Sequence, residues 1–428
     1  MSTLKAVRGT RDLLPPETAL WNRIEATARA VFARYNFGEI RTPIFEDTAL
    51  FARSVGEETD IVSKEMYTWE DRARAQSEKA QSLTLRPENT AGVVRAYIEH
   101  KLGESGQLQK LYYIGPQFRR ERPQKGRYRQ FWQIGAEAIG PPSSGSESPL
   151  RDAEILEMLA TLLDELGIAG WTLELNSVGS AADRARYNEV LREALIPVAS
   201  KMCADCQRRA VTNPLRVLDC KVPEDQPIIE TLPKIADSLD PESREHFAAV
   251  LAALDAAQVP YTRNHRLVRG LDYYTRTTFE FTHGGLGAQN ALLGGGRYDG
   301  LSEAIGGPKA PGIGFAMGLD RLVLTIQVQA AQNLAVEKSD AYIAPLGESL
   351  NPAALVLARE LRRAGLRVEL GDGSFRLKKS FDAADKTARA IVILGEDELQ
   401  SGILTVKNFS TGVQCKVPRA ELAAELAK

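Results

Sequence analysis

Tyr113-Ile-Gly-Pro-Gln-Phe-Arg-Arg-Glu-Arg-Pro-Gln-Lys-Gly-Arg-Tyr-Arg-Gln-Phe-Trp-Gln-Ile-Gly-Ala-Glu137 holds two alternating segments joined by an arginine-packed loop. In the second segment a two-residue period puts Phe131, Gln133, Gly135 and Glu137 on one face and Trp132, Ile134, Ala136 and Ala138 on the other. The second set suits a core. The first carries an amide, a carboxylate and a side-chain-free gap, a poor cover for a core but a reasonable floor for a small polar ligand. The loop concentrates Arg119, Arg120, Arg122, Lys125, Arg127 and Arg129 in a chain whose net charge is only -2, so positive charge is placed locally, as phosphate binding requires. An exposed hairpin with a solvated basic turn fits the same residues, and the rest of the chain has to separate the two readings.

The chain has 428 residues, 43% of them hydrophobic and 26% charged, enough for two or three domains of ordinary composition. No run of about 18 apolar residues could span a bilayer. The first residues lack the apolar stretch of a secretory signal, which places the protein in the cytoplasm with no membrane partner. Four cysteines are too few to staple such a chain and are expected as thiols. Cys203 and Cys206, a C-x-x-C pair, could join Cys220 as three zinc ligands, but no fourth ligand sits at matching spacing, so no metal-binding residue is assigned. The four histidines are not spaced to bind metal together.

Outward from the hairpin, a helix is expected after Pro15-Pro16 on Leu20, Ile24, Ala28, Val31 and Phe32, and another over about Thr90 to Lys101. A loop from Pro141 to Pro149 precedes a long helix on Ile155, Leu159, Leu162, Leu163 and Leu166, and Trp171 to Asn176 returns to strand. From Ala181 to about Gln258 helical periodicity dominates, with Asp240 as N-cap and Pro241 after it. Strand patterns resume over Arg266 to Thr282, pass through Gly294-Gly-Gly-Arg-Tyr-Asp, and end in Gly312-Ile-Gly-Phe-Ala-Met-Gly-Leu-Asp-Arg321, a strand feeding a helix. The helical block thus interrupts one α+β domain. Beyond a polar linker, strands and helices alternate as in a small α/β domain with a mostly parallel sheet.

No Gly-Lys dipeptide occurs, which excludes a Walker-type loop, and Gly312-x-Gly314 followed by Gly318 breaks the dinucleotide-binding spacing. Arginine is then the phosphate-binding device, through its fixed fork of donors. Arg119, Arg269 and Arg321 stand in stiff settings: a strand end, the approach to Gly270-Leu-Asp-Tyr-Tyr, and the first turn of a helix. Each taken singly is equally consistent with a surface salt bridge.

Together these segments resemble a known family. Phe118-Arg-Arg-Glu121 with its loop resembles motif 2 of the class II aminoacyl-tRNA synthetases, Gly312 to Arg321 their motif 3, and Arg41-Thr-Pro43 their motif 1. Leu267-Val-Arg-Gly-Leu-Asp-Tyr-Tyr274, Leu85-Arg-Pro-Glu88 and Gly294-Gly-Gly-Arg-Tyr-Asp-Gly300 are similar to the histidine-specific, bacterial-type members. The resemblance starts at Val7-Arg-Gly-Thr-Arg-Asp12 and covers essentially the whole chain. It implies an α+β catalytic domain built on an antiparallel sheet, the class II synthetase fold, over 1–328, with a helical insertion at 181–258. A linker at 329–338 and a C-terminal α/β anticodon-binding domain over 339–428 would follow.

The implied activity is a histidine–tRNA ligase: ATP converts L-histidine to histidyl-adenylate and pyrophosphate, and histidine passes to the 3′ end of its tRNA. By resemblance Arg119 holds the α-phosphate of ATP, Arg321 the γ-phosphate, and Arg269 the substrate carboxylate and α-phosphate, with Mg2+ accompanying ATP. Glu88, Thr90 and Gln133 would hold the histidine ammonium; Glu137 and Tyr274 would meet the ring, with Tyr273 beside them. Arg122, Gln124, Arg127 and Arg129 resemble the loop that meets the tRNA acceptor end. Lys201, Arg208, Arg209, Arg216 and Lys221 give the insertion a basic side, and Arg376, Lys378 and Lys379 are candidate anticodon-domain contacts. Motif 1 implies a homodimer.

Asn89 stands where the family often has glycine, and Arg120 and Trp132 where histidine is common. Another reading is a non-catalytic paralogue that regulates a histidine-biosynthetic phosphoribosyltransferase; such proteins lack the anticodon domain and lose motif residues, whereas this chain keeps both. A class II synthetase for another amino acid conflicts with Arg269 to Tyr274.

Overall fold

The alternating segments pair as expected. In the computed structural model they form an antiparallel hairpin with Leu111 opposite Glu137 and Gln117 opposite Phe131. Residues 3–56, 59, 61–71, 80–124, 126–286, 290–330 and 338–428 are described; Lys125 and residues 331–337 of the expected linker lie outside them.

The hairpin belongs to an eight-stranded sheet: β1 (Gly38–Glu39), β2 (Gln109–Phe118), β3 (Gln130–Ile139), β4 (Trp171–Ser177), β5 (Thr262–Arg263), β6 (Thr275–His283), β7 (Ala291–Arg297) and β8 (Gly312–Gly318). Their spatial order is β1-β2-β3-β8-β7-β6-β4-β5. The interior pairings are antiparallel; β1 on β2 and β5 on β4 are parallel.

One face of this sheet is the core. Ile134, Ala136 and Ala138 of β3 are buried with Ile24, Val31 and Phe32 of the helix Glu17–Arg34 and with Ile155, Leu159 and Leu163 of the helix Pro149–Glu165. Each buried Ile, Leu, Val or Phe side chain contributes about 1.5–3 kcal/mol and each alanine methyl about 0.8 kcal/mol, which together fix the register of β3 and send Gln133 and Glu137 to the other face.

Three expectations change. The strand expected from Arg266 begins only at Thr275. Before it, the Asn264 side chain accepts the Arg266 amide (3.0 Å) and Asn176 Nδ2 donates to the Leu267 carbonyl (3.0 Å), so side chains rather than a ladder hold this segment. Within 181–258 the helices Ala181–Leu195 and Ala204–Thr212 share a core with Val217 and Ile235, but Pro241–Ala256 does not join it. Asp240 caps that helix, accepting the Ser243 amide at 2.7 Å, while Phe247, Val250 and Leu254 enter the main core. Its apolar stripe packs on Pro149–Glu165, which ties it to the sheet domain.

The chain divides into compact units at 1–334 and 335–428. The second holds a five-stranded sheet ordered Val368–Leu370, Ser339–Pro345, Ala388–Leu394, Ile403–Asn408, Gln414–Pro418. The first three strands are parallel, as the alternation with Asn351–Arg363 and Leu377–Thr387 predicts. A closing hairpin adds two antiparallel pairings, so the sheet is evenly mixed rather than mostly parallel.

Candidate active site

The polar face of the large sheet carries a cavity of about 230 Å³ whose wall includes Arg119, Arg269, Arg321, Glu88, Thr90 and Gln133. Residues separated by up to 233 positions in the chain therefore face one volume. Arg119 follows the end of β2, where its Nε donates to the Pro87 carbonyl (2.9 Å) and its guanidinium lies over Phe131, 5.3 Å from the ring centre. Arg269 crosses β7 at Gly294: a Cβ there would lie 2.5 Å from the guanidinium carbon, so any larger residue would push the guanidinium aside. Its Nη1 pairs with Glu280 of β6 at 2.8 Å, and among the described residues its buried Nε has no hydrogen-bond partner. Arg321 opens the helix Leu319–Ala330 and donates to the Ala291 carbonyl at 2.7 Å. Burial and the nearby Arg127 lower the guanidinium pKa of Arg321, both effects of gathering cations in a partly dry pocket.

The cavity wall also includes the start of the helix Thr90–Glu99. Glu88 accepts the amides of Thr90 (2.8 Å) and Ala91 (3.0 Å), binding two donors that the helix start leaves unpaired. Burial raises its pKa, and those two amides oppose the rise. Gln133 Oε1 is buried in the cavity wall and has no hydrogen-bond partner among the described residues, an acceptor that suits a ligand N–H.

Glu137 stands behind this wall rather than on it, fully buried. Thr90 Oγ1 donates to its Oε1 at 2.7 Å and the Tyr298 hydroxyl to its Oε2 at 2.8 Å. Burial pushes its carboxyl up to about 8. Gly314 of β8 makes the space: a Cβ there would lie 1.6 Å from Glu137 Oε2. Tyr273 and Tyr274 line the cavity with ring centres 4.7 Å apart, and Tyr273 meets Tyr298 edge-on at 6.0 Å. The gap at Gly135 is no ligand floor: the Tyr113 ring fills it, within 2.3 Å of where a Cβ would stand.

The loop between the strands divides. Arg122 and Gln124 are exposed, the Gln124 amide and carbonyl both bonding Arg127 around a turn at Gly126 (φ +76°). Arg127 turns back to the cavity and pairs with Glu121 at 3.1 Å. Arg129 is half-buried, donating to the Arg8 carbonyl at 3.2 Å. Elsewhere, Lys201, Arg208 and Lys221 are exposed, but Arg209 is half-buried and Arg216 turns inward, its Nη1 on the Arg269 carbonyl at 3.1 Å. Arg376, Lys378 and Lys379 are exposed at the start of Leu377–Thr387.

Sequence reasoning missed four side chains. Tyr298, which holds Glu137, sits inside the Gly294–Gly300 motif, and its adjacency to Gly294–Arg297 was the available signal. Arg86, buried in the Leu85–Glu88 motif, donates to the carbonyls of Thr42 (3.0 Å) and Pro116 (3.0 Å), tying the Arg41–Pro43 segment to β2. Arg11 pairs with Asp320 at 2.8 Å, tying the Val7–Asp12 segment to the start of Leu319–Ala330. The expectation that the cysteines lack a fourth ligand is corrected: Asp225 joins Cys203, Cys206 and Cys220 in one cluster.

The family model described as histidyl-tRNA synthetase matches residues 9–322, and that of an anticodon binding domain matches 340–428. The chain is 73% identical over 421 residues to the histidine–tRNA ligase of Koribacter versatilis, covering 98% of this chain and 95% of that protein. It is 56% identical to the corresponding protein of Solibacter usitatus, covering 99% of each. The crystal structure of apo S. aureus histidyl-tRNA synthetase superposes with a TM-score of 0.80 at 38% identity over the whole of both chains.

Proposed function

The chain belongs to the histidyl-tRNA synthetase family, and on that premise we propose how its cavity divides the work of the reaction. It is a ligase that joins histidine to tRNA, and a synthetase of this class uses ATP to do so. The histidine carboxylate attacks the α-phosphorus, a carboxyl–phosphorus bond forms, and the bond to pyrophosphate breaks with its electron pair on the leaving group. Negative charge grows on phosphate oxygens as this happens, and pre-placed donors lower the barrier because they need no rearrangement.

Arg119 meets the α-phosphate and Arg321 the far phosphate, while Arg269 bridges the substrate carboxylate and the α-phosphate. The observation that carries this reading is the convergence of these three guanidiniums, from separate motifs, on one cavity whose wall also includes Glu88, Thr90 and Gln133. Glu88 and Gln133 Oε1 accept from the histidine ammonium with Thr90 beside them; Tyr274 and Tyr273 on the cavity wall meet the ring, and Glu137, one layer behind, reads it by exchanging its bond to Thr90 or Tyr298 for the ring N–H. Glu121, a carboxylate on the cavity wall, is the hard oxygen donor that a Mg2+ accompanying ATP would take, and that ion supplies charge neutralisation at the pyrophosphate end. A buried acceptor set of this kind rejects analogues lacking the matching N–H by about 10⁴-fold, because groups on both sides are left unpaired.

Transfer to tRNA uses the rest. The exposed Arg122 and Gln124 meet the acceptor end, with Arg127 at the cavity edge and Arg129 bracing the loop. Lys201, Arg208 and Lys221 face the same nucleic acid; Arg376, Lys378 and Lys379 serve the unit that matches the anticodon binding domain. The protein acts in the cytoplasm, where thiols such as its four cysteines stay reduced; among the described residues no helix is long and apolar enough to cross a membrane. It works as a homodimer. Ile44, Phe45 and Trp69, in and beside a small sheet near motif 1, are 45, 53 and 40% exposed, an apolar group that a second copy would cover.

Pyrophosphate exchange into ATP, measured with each proteinogenic amino acid in turn, is expected with histidine alone. Exchange with none of them sinks the catalytic reading. Sedimentation as a monomer at micromolar concentration refutes the dimer.

A further inference from the structure

One buried polar cluster takes no part in the steps above. Cys203 is the N-cap residue of the helix Ala204–Thr212, Cys206 lies in its first turn, Cys220 follows the turn Pro214–Val217, and Asp225 closes the next turn. The spacing is C-x2-C-x13-C-x4-D. Cys206, Cys220 and Asp225 are 0, 5 and 1% exposed, and Cys203 is half-buried.

One ligand atom from each of the four lies within 4.8 Å of all the others. Cys203 Sγ is 3.9 Å from Cys220 Sγ, and Cys220 Sγ is 3.2 Å from Asp225 Oδ2. A tetrahedral zinc ion with Zn–S near 2.3 Å and Zn–O near 2.0 Å sets its sulfurs about 3.8 Å apart and sulfur to oxygen about 3.5 Å apart. These two separations are within a few tenths of an ångström of those values, and the remaining ones stay within 4.8 Å.

Charge points the same way. Both oxygens of Asp225 accept the one Cys203 amide, Oδ1 at 3.0 Å and Oδ2 at 3.3 Å, and Oδ2 otherwise meets only a thiol, a weak donor. Among the described residues no ion pair reaches it; the neighbouring Lys221 pairs with Asp219 instead, at 3.4 Å. A carboxylate this buried is uncommon without a cation, and three sulfurs around it select a borderline-soft one over Mg2+ or Ca2+.

We propose that Cys203, Cys206, Cys220 and Asp225 bind one zinc ion as a closed, four-coordinate structural site of the 181–258 region. Zn2+ enters as the three thiols lose their protons to solvent, with no change of oxidation state. The resulting negative charge is eased by the Val222 amide, which points at Cys220 Sγ at 3.4 Å, and by the start of the Ala204–Thr212 helix. All four protein ligands are used, so no position is left for water or substrate and the ion is structural rather than catalytic.

The test is metal content of the full-length protein purified under reducing conditions from zinc-supplemented cells. About one zinc per chain is expected, with Co2+ exchanged in its place giving thiolate charge-transfer absorption and the intense visible bands of a tetrahedral site. Cys220→Ser and Asp225→Asn each remove a direct ligand and should weaken zinc binding by at least about 100-fold, since losing even an outer partner of a metal ligand costs 10–100-fold. Cys415→Ser, outside the cluster, should change nothing. Where a variant does not fold, alkylation of the wild type decides: Cys203, Cys206 and Cys220 should be protected with zinc and become reactive when a chelator removes it. Reduced protein that takes up neither Zn2+ nor Co2+, equal zinc in wild type and variants, or a Cys203–Cys220 disulfide in protein trapped on lysis would each overturn the assignment. The readouts are metal content and thiol reactivity, so the outcome is independent of the ligase activity.

Discussion

The hairpin from Gln109 to Ile139 and the stretch from Lys201 to Asp225 both draw polar side chains around a small volume, by different means. In the hairpin a strict two-residue period, pinned by Ile134, Ala136 and Ala138 in the core, aims Gln133 and Glu137 at the opposite face. In the other stretch short helices and turns bring Cys203, Cys206, Cys220 and Asp225 together with no period at all. A periodic element announces its polar face to anyone who counts residues. A compact run of turns does not, because its contacts depend on how each turn closes. The second region also touches the cavity wall: Arg216, from the turn between Cys206 and Cys220, donates to the carbonyl of Arg269.

The largest expected effect lies on the cavity side. Arg269→Ala should lower the rate of histidine-dependent pyrophosphate exchange by about 10²–10³-fold, the usual loss when one donor to developing charge is removed. Histidine binding, followed by calorimetry, should weaken far less, because the partner charge forms mainly in the transition state. Equal losses in both would remove Arg269 from the chemical step, and a thermal unfolding midpoint would show whether the unpaired Glu280 had instead disturbed the fold.

Next comes Gly314→Ala. Its methyl would fall 1.6 Å from Glu137 Oε2, so the carboxyl must leave Tyr298 or the strands must part. The variant should lose about 1–3 kcal/mol of stability and show a raised KM for histidine, with a smaller change in KM for ATP. Wild-type stability and KM would mean the hairpin face is less tightly built than its register implies.

A pH test sharpens the role of Glu137. Its folded pKa of about 8 lies above the ordinary 4.5, so between these values the folded chain holds a proton that the unfolded chain has lost. The group's contribution to stability is therefore full below about 4.5 and is lost as pH rises through about 8. If the ring N–H of histidine meets this carboxyl, binding favours the ionised form. Histidine binding near neutrality should then release a proton, and affinity should rise with pH toward 8. Calorimetry in buffers of different ionisation heat measures the release; Glu137→Gln should abolish it, and an unchanged release in that variant would move the proton elsewhere.

The smallest effect is expected at the loop tip. Arg122→Ala should leave pyrophosphate exchange within about twofold of wild type while lowering tRNA charging about three- to tenfold at low salt and less at high salt, as for one exposed phosphate contact. A parallel fall in exchange would place Arg122 in the cavity with Arg127.

Most of the fold could be read along the chain. The helices at Glu17–Arg34, Pro149–Glu165 and Pro241–Ala256, the strand feeding Leu319–Ala330, and the strand-helix alternation after Ser339 all follow from apolar spacing and capping residues. The irregular path before Thr275 was hidden because Asn176 and Asn264 hold it, and a side chain that replaces a ladder leaves no period. The sheet domain's claim on Pro241–Ala256 was hidden too, since amphipathicity shows that a helix has an apolar face but not what covers it.

By itself, the sequence determined which residue types are available for each role, with guanidiniums on stiff segments, an amide and a carboxylate on one strand face, and three thiols near one another. These are matters of local spacing, carried by covalent geometry over a few residues. Only the tertiary structure decided that Arg119, Arg269 and Arg321 face one cavity, and that Gly314 leaves room for Glu137. It likewise decided that Tyr298 holds that carboxyl and that Asp225 completes the cysteine cluster. Those facts join residues far apart in the chain, or close across turns without a repeat. They depend on how strands are ordered and which side chains compete for the same space, quantities that exist only once the chain has packed.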